Sequence, residues 1–164
     1  SQTWDSMRQL IVWCELARAA FNASLNQDQH GGTSALKQYL ASVYAELIED
    51  LQAWLTMHAG EAVTQAAPAQ LDGPWAQVTE ALASNNEQVA LAGCWMMQHA
   101  VRAAYERVAE NQLPEKSARE LVQRHQHKLD AVRASTSQLQ TELRRAAGNA
   151  AAQCPFFSSM AEAS

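Results

Sequence analysis

From Thr33 to Gly60 the chain reads TSALKQYLASVYAELIEDLQAWLTMHAG. Within it Leu36, Leu40, Val43, Leu47, Leu51 and Trp54 recur at steps of three and four, which gathers them on one face of a helix. Thr33 or Ser34 suits the N-cap, and Gly60 is a natural stop after Met57 or His58. Three other stretches carry the same period. The first is Met7, Leu10, Cys14, Ala17 and Phe21; another is Leu91, Cys94, Gln98, Val101, Tyr105 and Val108. The last is Val122, His125, Leu129, Val132, Thr136, Leu139 and Leu143. Four such stripes predict four long helices sharing one seam.

The boundaries follow from local chemistry. The first helix is expected from just after Thr3 to about Asn26, and Gly31-Gly32 makes the turn that follows it. Residues 60–73 contain Ala-Ala-Pro-Ala around Pro68, lead into Pro74 and carry no stripe, so they form the long connection. Pro74 suits the first position of a short helix over Trp75–Ala83, which Ser84-Asn85-Asn86 closes and recaps. A third long helix then covers Glu87 to about Asn111. Leu113-Pro114 interrupts it, and the fourth is expected to run from Pro114-Glu115 to Ala147, ending at Gly148-Asn149. No alternation with β-branched enrichment persists for five residues, so no strand is expected. The prediction is an all-α antiparallel four-helix bundle: two helical hairpins joined by a cross-over with a short extra helix. Its domain covers residues 1–148, and 149–164 form a tail. In that tail Phe156 and Phe157, after Cys154-Pro155, are candidates to dock in a groove of this chain or a partner.

Composition narrows the function classes. The 164 residues are 48% hydrophobic and 18% charged, as expected of one soluble globular domain. No apolar run approaches the ~20 residues that span a bilayer. The opening Ser-Gln-Thr-Trp-Asp has neither a basic nor an apolar signal-peptide region, so no intact signal peptide is expected. The net charge of −5 is uneven: residues 1–112 carry 5 Lys/Arg against 12 Asp/Glu, residues 113–164 carry 7 against 5. A basic last helix beside acidic earlier ones favours contacts within the chain or between subunits, and not nucleic acid. Cys14, Cys94 and Cys154 are odd in number and widely spaced, which fits small core residues in a reduced, cytoplasmic setting and neither a disulfide framework nor a zinc site.

Bundles that bind metal project Glu and His into the seam, typically with Glu-x-x-His on two helices. This chain has no Glu-x-x-His, and its only strongly polar seam positions are Gln98 and His125. These two are expected to meet in a buried hydrogen bond that fixes register. Glu15, Glu46, Glu49 and Asp50 flank the seam and read as a solvated face. His99 and His127 point away from it. Glu15, Glu46, Gln98 and His125 are the candidates for a metal-binding, ferroxidase-like alternative that would hold iron or manganese. An apolar-ligand pocket lined by Trp and Met is a third reading. Trp95-Met96-Met97 covers most of a helix circumference, so one of the three must face away from the core. Trp95, Met96 and Met97 are therefore the candidate interface, in a homodimer or with another protein partner. No nucleophile elbow or phosphate loop is present, so no catalytic residue is assigned.

The order of landmarks adds a resemblance. Leu10-Ile11, Cys14-Glu15, Glu46-Leu47, Asp50-Leu51-Gln52 and Pro74-Trp75 are followed by Cys94, Gln98 and Ala104-Tyr105-Glu106, then Leu113-Pro114 and Leu121-Val122-Gln123-Arg124. Across residues 7–140 this layout resembles a bacterial ferritin-like four-helix family of unknown function, often linked to stress responses. Members typically carry acidic residues around the Cys of the third long helix, where this chain has Trp95, Gln98 and His99. The resemblance implies the fold, weakens an iron-oxidase reading and supplies no catalytic residues.

Overall fold

A computed structural model describes residues 2–27, 33–60 and 74–153. It contains α1 (Gln2–Gln27), α2 (Ser34–Ala59), α3 (Pro74–Leu82), α4 (Glu87–Glu110) and α5 (Lys116–Gln153), with no strand among the described residues. The fold is all-α. α1 packs on α2 and α4, α5 packs on α2 and α4, and the short α3 lies against α4 and α1.

The stripes are the core. Every residue of the first three is buried, as are Val122, His125, Leu129, Val132 and Thr136 of the fourth, with Leu139 packed at its edge. The core is wider than the stripes, because Ile11, Ala20, Tyr44, Ile48 and Leu55 close it on the flanks. A stripe of two residues per heptad is a coiled-coil seam; a globular helix buries a third position.

Local chemistry sets the ends. Gly60 takes φ 70°, a left-handed conformation that costs glycine little, and its N–H donates to Thr56 O. Asn86 accepts from the N–H groups of Gln88 and Val89 at 3.0 and 3.4 Å, which caps α4. Thr33 precedes α2 but makes no side-chain cap hydrogen bond. The α5 boundary differs from expectation: the helix passes through Gly148-Asn149 to Gln153, across the domain edge placed at 148. Gly148 lacks the positive φ of a helix-ending glycine, and a glycine inside a helix costs only about 1 kcal/mol.

The end of α3 is fixed by three helices. Leu82 O accepts from Lys37 Nζ of α2 at 2.9 Å and from Ser24 Oγ of α1 at 2.7 Å. Lys37 is 1% exposed, an ammonium placed at the negative end of the α3 dipole. On the third side Gly93 of α4 lies so close that a Cβ there would come within 2.9 Å of Leu82 N. At the opposite end of the molecule Thr3 pairs with Glu115, and Trp54 Nε1 donates to Ser117 Oγ at 3.0 Å.

Candidate functional site

Four side chains, one from each long helix, form a continuous polar line through the core. Cys14 Sγ of α1 lies 3.9 Å from the Tyr105 hydroxyl of α4. That hydroxyl is 2.7 Å from His125 Nδ1 of α5, and His125 Nε2 is 2.9 Å from Asp50 Oδ2 of α2. Cys14, Tyr105 and His125 are buried, whereas the Asp50 side chain is 55% exposed, so the line runs from core to solvent.

The donor directions follow from charge. As a carboxylate Asp50 only accepts, so His125 Nε2–H donates to it and Nδ1 is left as an acceptor for Tyr105 O–H. The phenol oxygen then accepts from the Cys14 thiol. Each proton has one acceptor and the line is satisfied. Burial depresses His125 below its ordinary value, with Asp50 pulling the other way. Burial also pushes Cys14 up to about 12, opposed by its bond to Tyr105. Tyr105 is held well above the usual phenol range, first by burial and then by Cys14. At neutral pH the three inner groups stay uncharged. Cys14 is thus a poor nucleophile, since the thiolate is the reactive form.

The expected Gln98–His125 pair does not form. Gln98 Nε2 donates to Thr136 Oγ1 at 3.2 Å, and Thr136 in turn donates to Val132 O. Thr136 is eleven residues from His125, about 16 Å along the helix, and the nearer partner of His125 is Tyr105. Both polar residues are in the seam, but at different levels of it. The residue sequence reasoning missed was Tyr105: its stripe position reads as an apolar ring, and only a pairing across helices reveals the hydroxyl's role.

The flanking carboxylates separate. Glu46 is on the surface with Lys128, in keeping with a solvated face. Glu15 is instead turned inward and buried, its Oε1 unpartnered, and desolvation raises it above the normal carboxylate range against the pull of Arg18. Position 15 adjoins the stripe at 14, and the third buried position of α1 takes it in. Among the described residues no group of three or more His, Cys, Asp or Glu side chains is placed to hold a metal ion. His99 and His127 are exposed.

The Trp-Met triplet divides. Met97 is fully buried within this chain, which removes it from any surface; it belongs to the core cluster. Met96 faces out, and Trp95 is half-buried with the Arg133 guanidinium 5.0 Å from its ring centroid. The groove between α4 and α5 holds about 290 Å³ and is lined mainly by polar side chains, including Arg102, Glu106, His127 and Asp130, with Tyr105 in its wall and neither Trp nor Met. It does not serve the apolar-ligand reading. Cys154, Phe156 and Phe157 lie outside the described residues.

No protein-family model, no curated protein and no solved structure matches the chain. No helix among the described residues is long and apolar enough to cross a membrane.

Proposed function

We propose that this is a non-enzymatic bundle protein that acts through protein–protein contacts, first as a homodimer closed across the outer face of α4. The observation that carries the reading is the exposure of Met96 at 40% and Val89 at 41%, seven residues apart on one face. Ala92 lies exposed between them and Trp95 beside them, and the strip from Val89 to Met96 bears no charge. An uncharged strip is self-complementary under a two-fold axis, and methionine adapts readily to a copy of itself.

The ferritin-like, antiparallel arrangement belongs to the same proposal. It is supported by pairs that step in opposite senses along neighbouring helices: Gln98 with Thr136, Arg102 with Asp130, Tyr105 with His125. Glu46 with Lys128 and Asp50 with His125 do the same between α2 and α5. Membership of the bacterial, stress-linked family and a cytoplasmic location are held on the sequence resemblance and composition. The iron or manganese alternative gains nothing from Glu46, which is engaged by Lys128, or from Gln98, which is bonded to Thr136.

The test is the solution mass. Sedimentation should give twice the 18.0 kDa chain mass, and Met96→Arg should return it to the monomer without loss of helicity. A monomeric unmodified chain, or a dimer indifferent to Met96→Arg, overturns the proposal.

A further inference from the structure

Two tyrosines are buried in this core, and they differ in one respect. The Tyr44 hydroxyl has no hydrogen-bond partner, whereas the Tyr105 hydroxyl points at a base 2.7 Å away. A phenol that loses an electron becomes a strong acid, so its oxidation proceeds readily only where the proton has somewhere to go. Tyr105 has such a route. His125 accepts at Nδ1, and its Nε2 proton has Asp50 as acceptor at 2.9 Å, half-exposed to water. No net positive charge then accumulates in the core, where an unpaired charge is costly.

We propose that Tyr105 is a redox-active phenol whose proton leaves through His125 and Asp50 and whose oxidised form is repaired by the Cys14 thiol. In the first step an outer-sphere one-electron oxidant, approaching at the α4–α5 groove that Tyr105 walls, takes one electron and is reduced. The Tyr105 O–H bond breaks, its proton bonds to His125 Nδ1, and the Nε2 proton passes to Asp50 Oδ2. His125 ends neutral with its tautomer exchanged, and Tyr105 is a neutral phenoxyl radical. In the second step the Cys14 S–H bond breaks and a new O–H bond forms on Tyr105, leaving the unpaired electron on sulfur. The 3.9 Å separation places the thiol beside the phenol oxygen, and a pKa pushed up by burial to about 12 keeps it an S–H donor at neutral pH. This role is independent of the proposed dimer and needs no second copy of the chain.

The chain has three tyrosines, Tyr39, Tyr44 and Tyr105, so assignment is tractable. Exposed Tyr39 is first changed to Phe. Flash-generated tris(bipyridine)ruthenium(III) is the oxidant, and transient absorption with electron paramagnetic resonance reads the radical. A tyrosyl signal is expected that survives Tyr44→Phe, vanishes in Tyr105→Phe, and forms more slowly in heavy water. His125→Phe should slow its formation about a hundredfold, the usual contribution of a positioned proton acceptor, and Cys14→Ala should lengthen its lifetime. Should His125→Phe not fold, the heavy-water measurement on the His125-containing protein tests the same step. A signal on Tyr44, none on Tyr105, or a rate unchanged in heavy water overturns the proposal; an unchanged lifetime in Cys14→Ala overturns the repair step.

Discussion

Gly93→Ala and Gly148→Ala make the same chemical change in two helices and should move stability in opposite directions. Alanine relieves a helical glycine of about 1 kcal/mol of conformational cost in either place. At Gly148 a new Cβ meets nothing within 4 Å, so the full gain is expected, about 1 kcal/mol and ~2–4 °C in Tm for a chain this long. At Gly93 the Cβ would come within 2.9 Å of Leu82 N, 3.1 Å of Leu82 Cγ and 3.2 Å of Ala81 Cβ. The nearest atom is backbone, which no rotamer change can move. α3 must therefore shift off α4, and Leu82 O is at the same time held by Lys37 and Ser24. Overpacking of this kind costs about 1–3 kcal/mol. A clash with backbone falls at the upper end of that range, so against the helix gain of about 1 kcal/mol the net loss is about 2 kcal/mol, or ~4–8 °C. Urea and thermal unfolding followed by circular dichroism measure both variants. A Gly93→Ala protein as stable as the parent would refute the close approach of α3 to α4, and with it the account of how Leu82 is held.

Three further outcomes follow from the same geometry. His125 titrates below its ordinary 6.5 in the folded protein, so the unfolded chain takes up the proton first as pH falls; its contribution is complete above about pH 6.5 and declines below it. The loss should be absent in His125→Gln, while buried Glu15, whose carboxyl is raised, works in the opposite sense and is common to both proteins. Asn86→Ala removes the acceptor of two N–H groups at the start of α4 and should cost about 1 kcal/mol in urea unfolding. In a Cys154→Ser background, thiol labelling at pH 8 should be negligible until the protein is unfolded. Burial pushes the pKa of Cys14 and Cys94 up to about 12, against an ordinary 9.0, which reduces the thiolate about a thousandfold; prompt labelling of the folded protein would contradict their burial.

The helices and their inner faces were legible because they depend on period alone. A stripe such as Leu36, Leu40, Val43, Leu47, Leu51 and Trp54 states its own phase, and all six are buried. What adjoins a stripe is less determined. Glu15 and Glu46 are both flanking carboxylates, yet one is buried and the other exposed, because the width of the buried arc depends on which neighbour leans over it. Met96 and Met97 are separated by one helical step of 100°, enough to place one outside and one in the core. Lys37 is buried because α3, distant in sequence, supplies the Leu82 carbonyl it meets.

Pairing between helices was the harder step, and it is where the polar line lies. Apolar side chains tolerate a shift of one helix against another, because dispersion is nearly indifferent to which methyl meets which. Hydrogen bonds are not, since a buried donor left without its acceptor costs ~1–3 kcal/mol. Cys14, Tyr105, His125 and Asp50 therefore do for register what the stripes cannot: they fix α1, α4, α5 and α2 at one common level. Gln98 and Thr136 repeat the constraint for α4 and α5 at a second level. Two fixed levels on one helix pair exclude sliding by a turn, which would break both at once. The same requirement explains why the line is complete to its outer end. Were Asp50 absent, His125 Nε2–H would lose its acceptor in the core, so the exposed carboxylate is what makes burial of the other three tolerable.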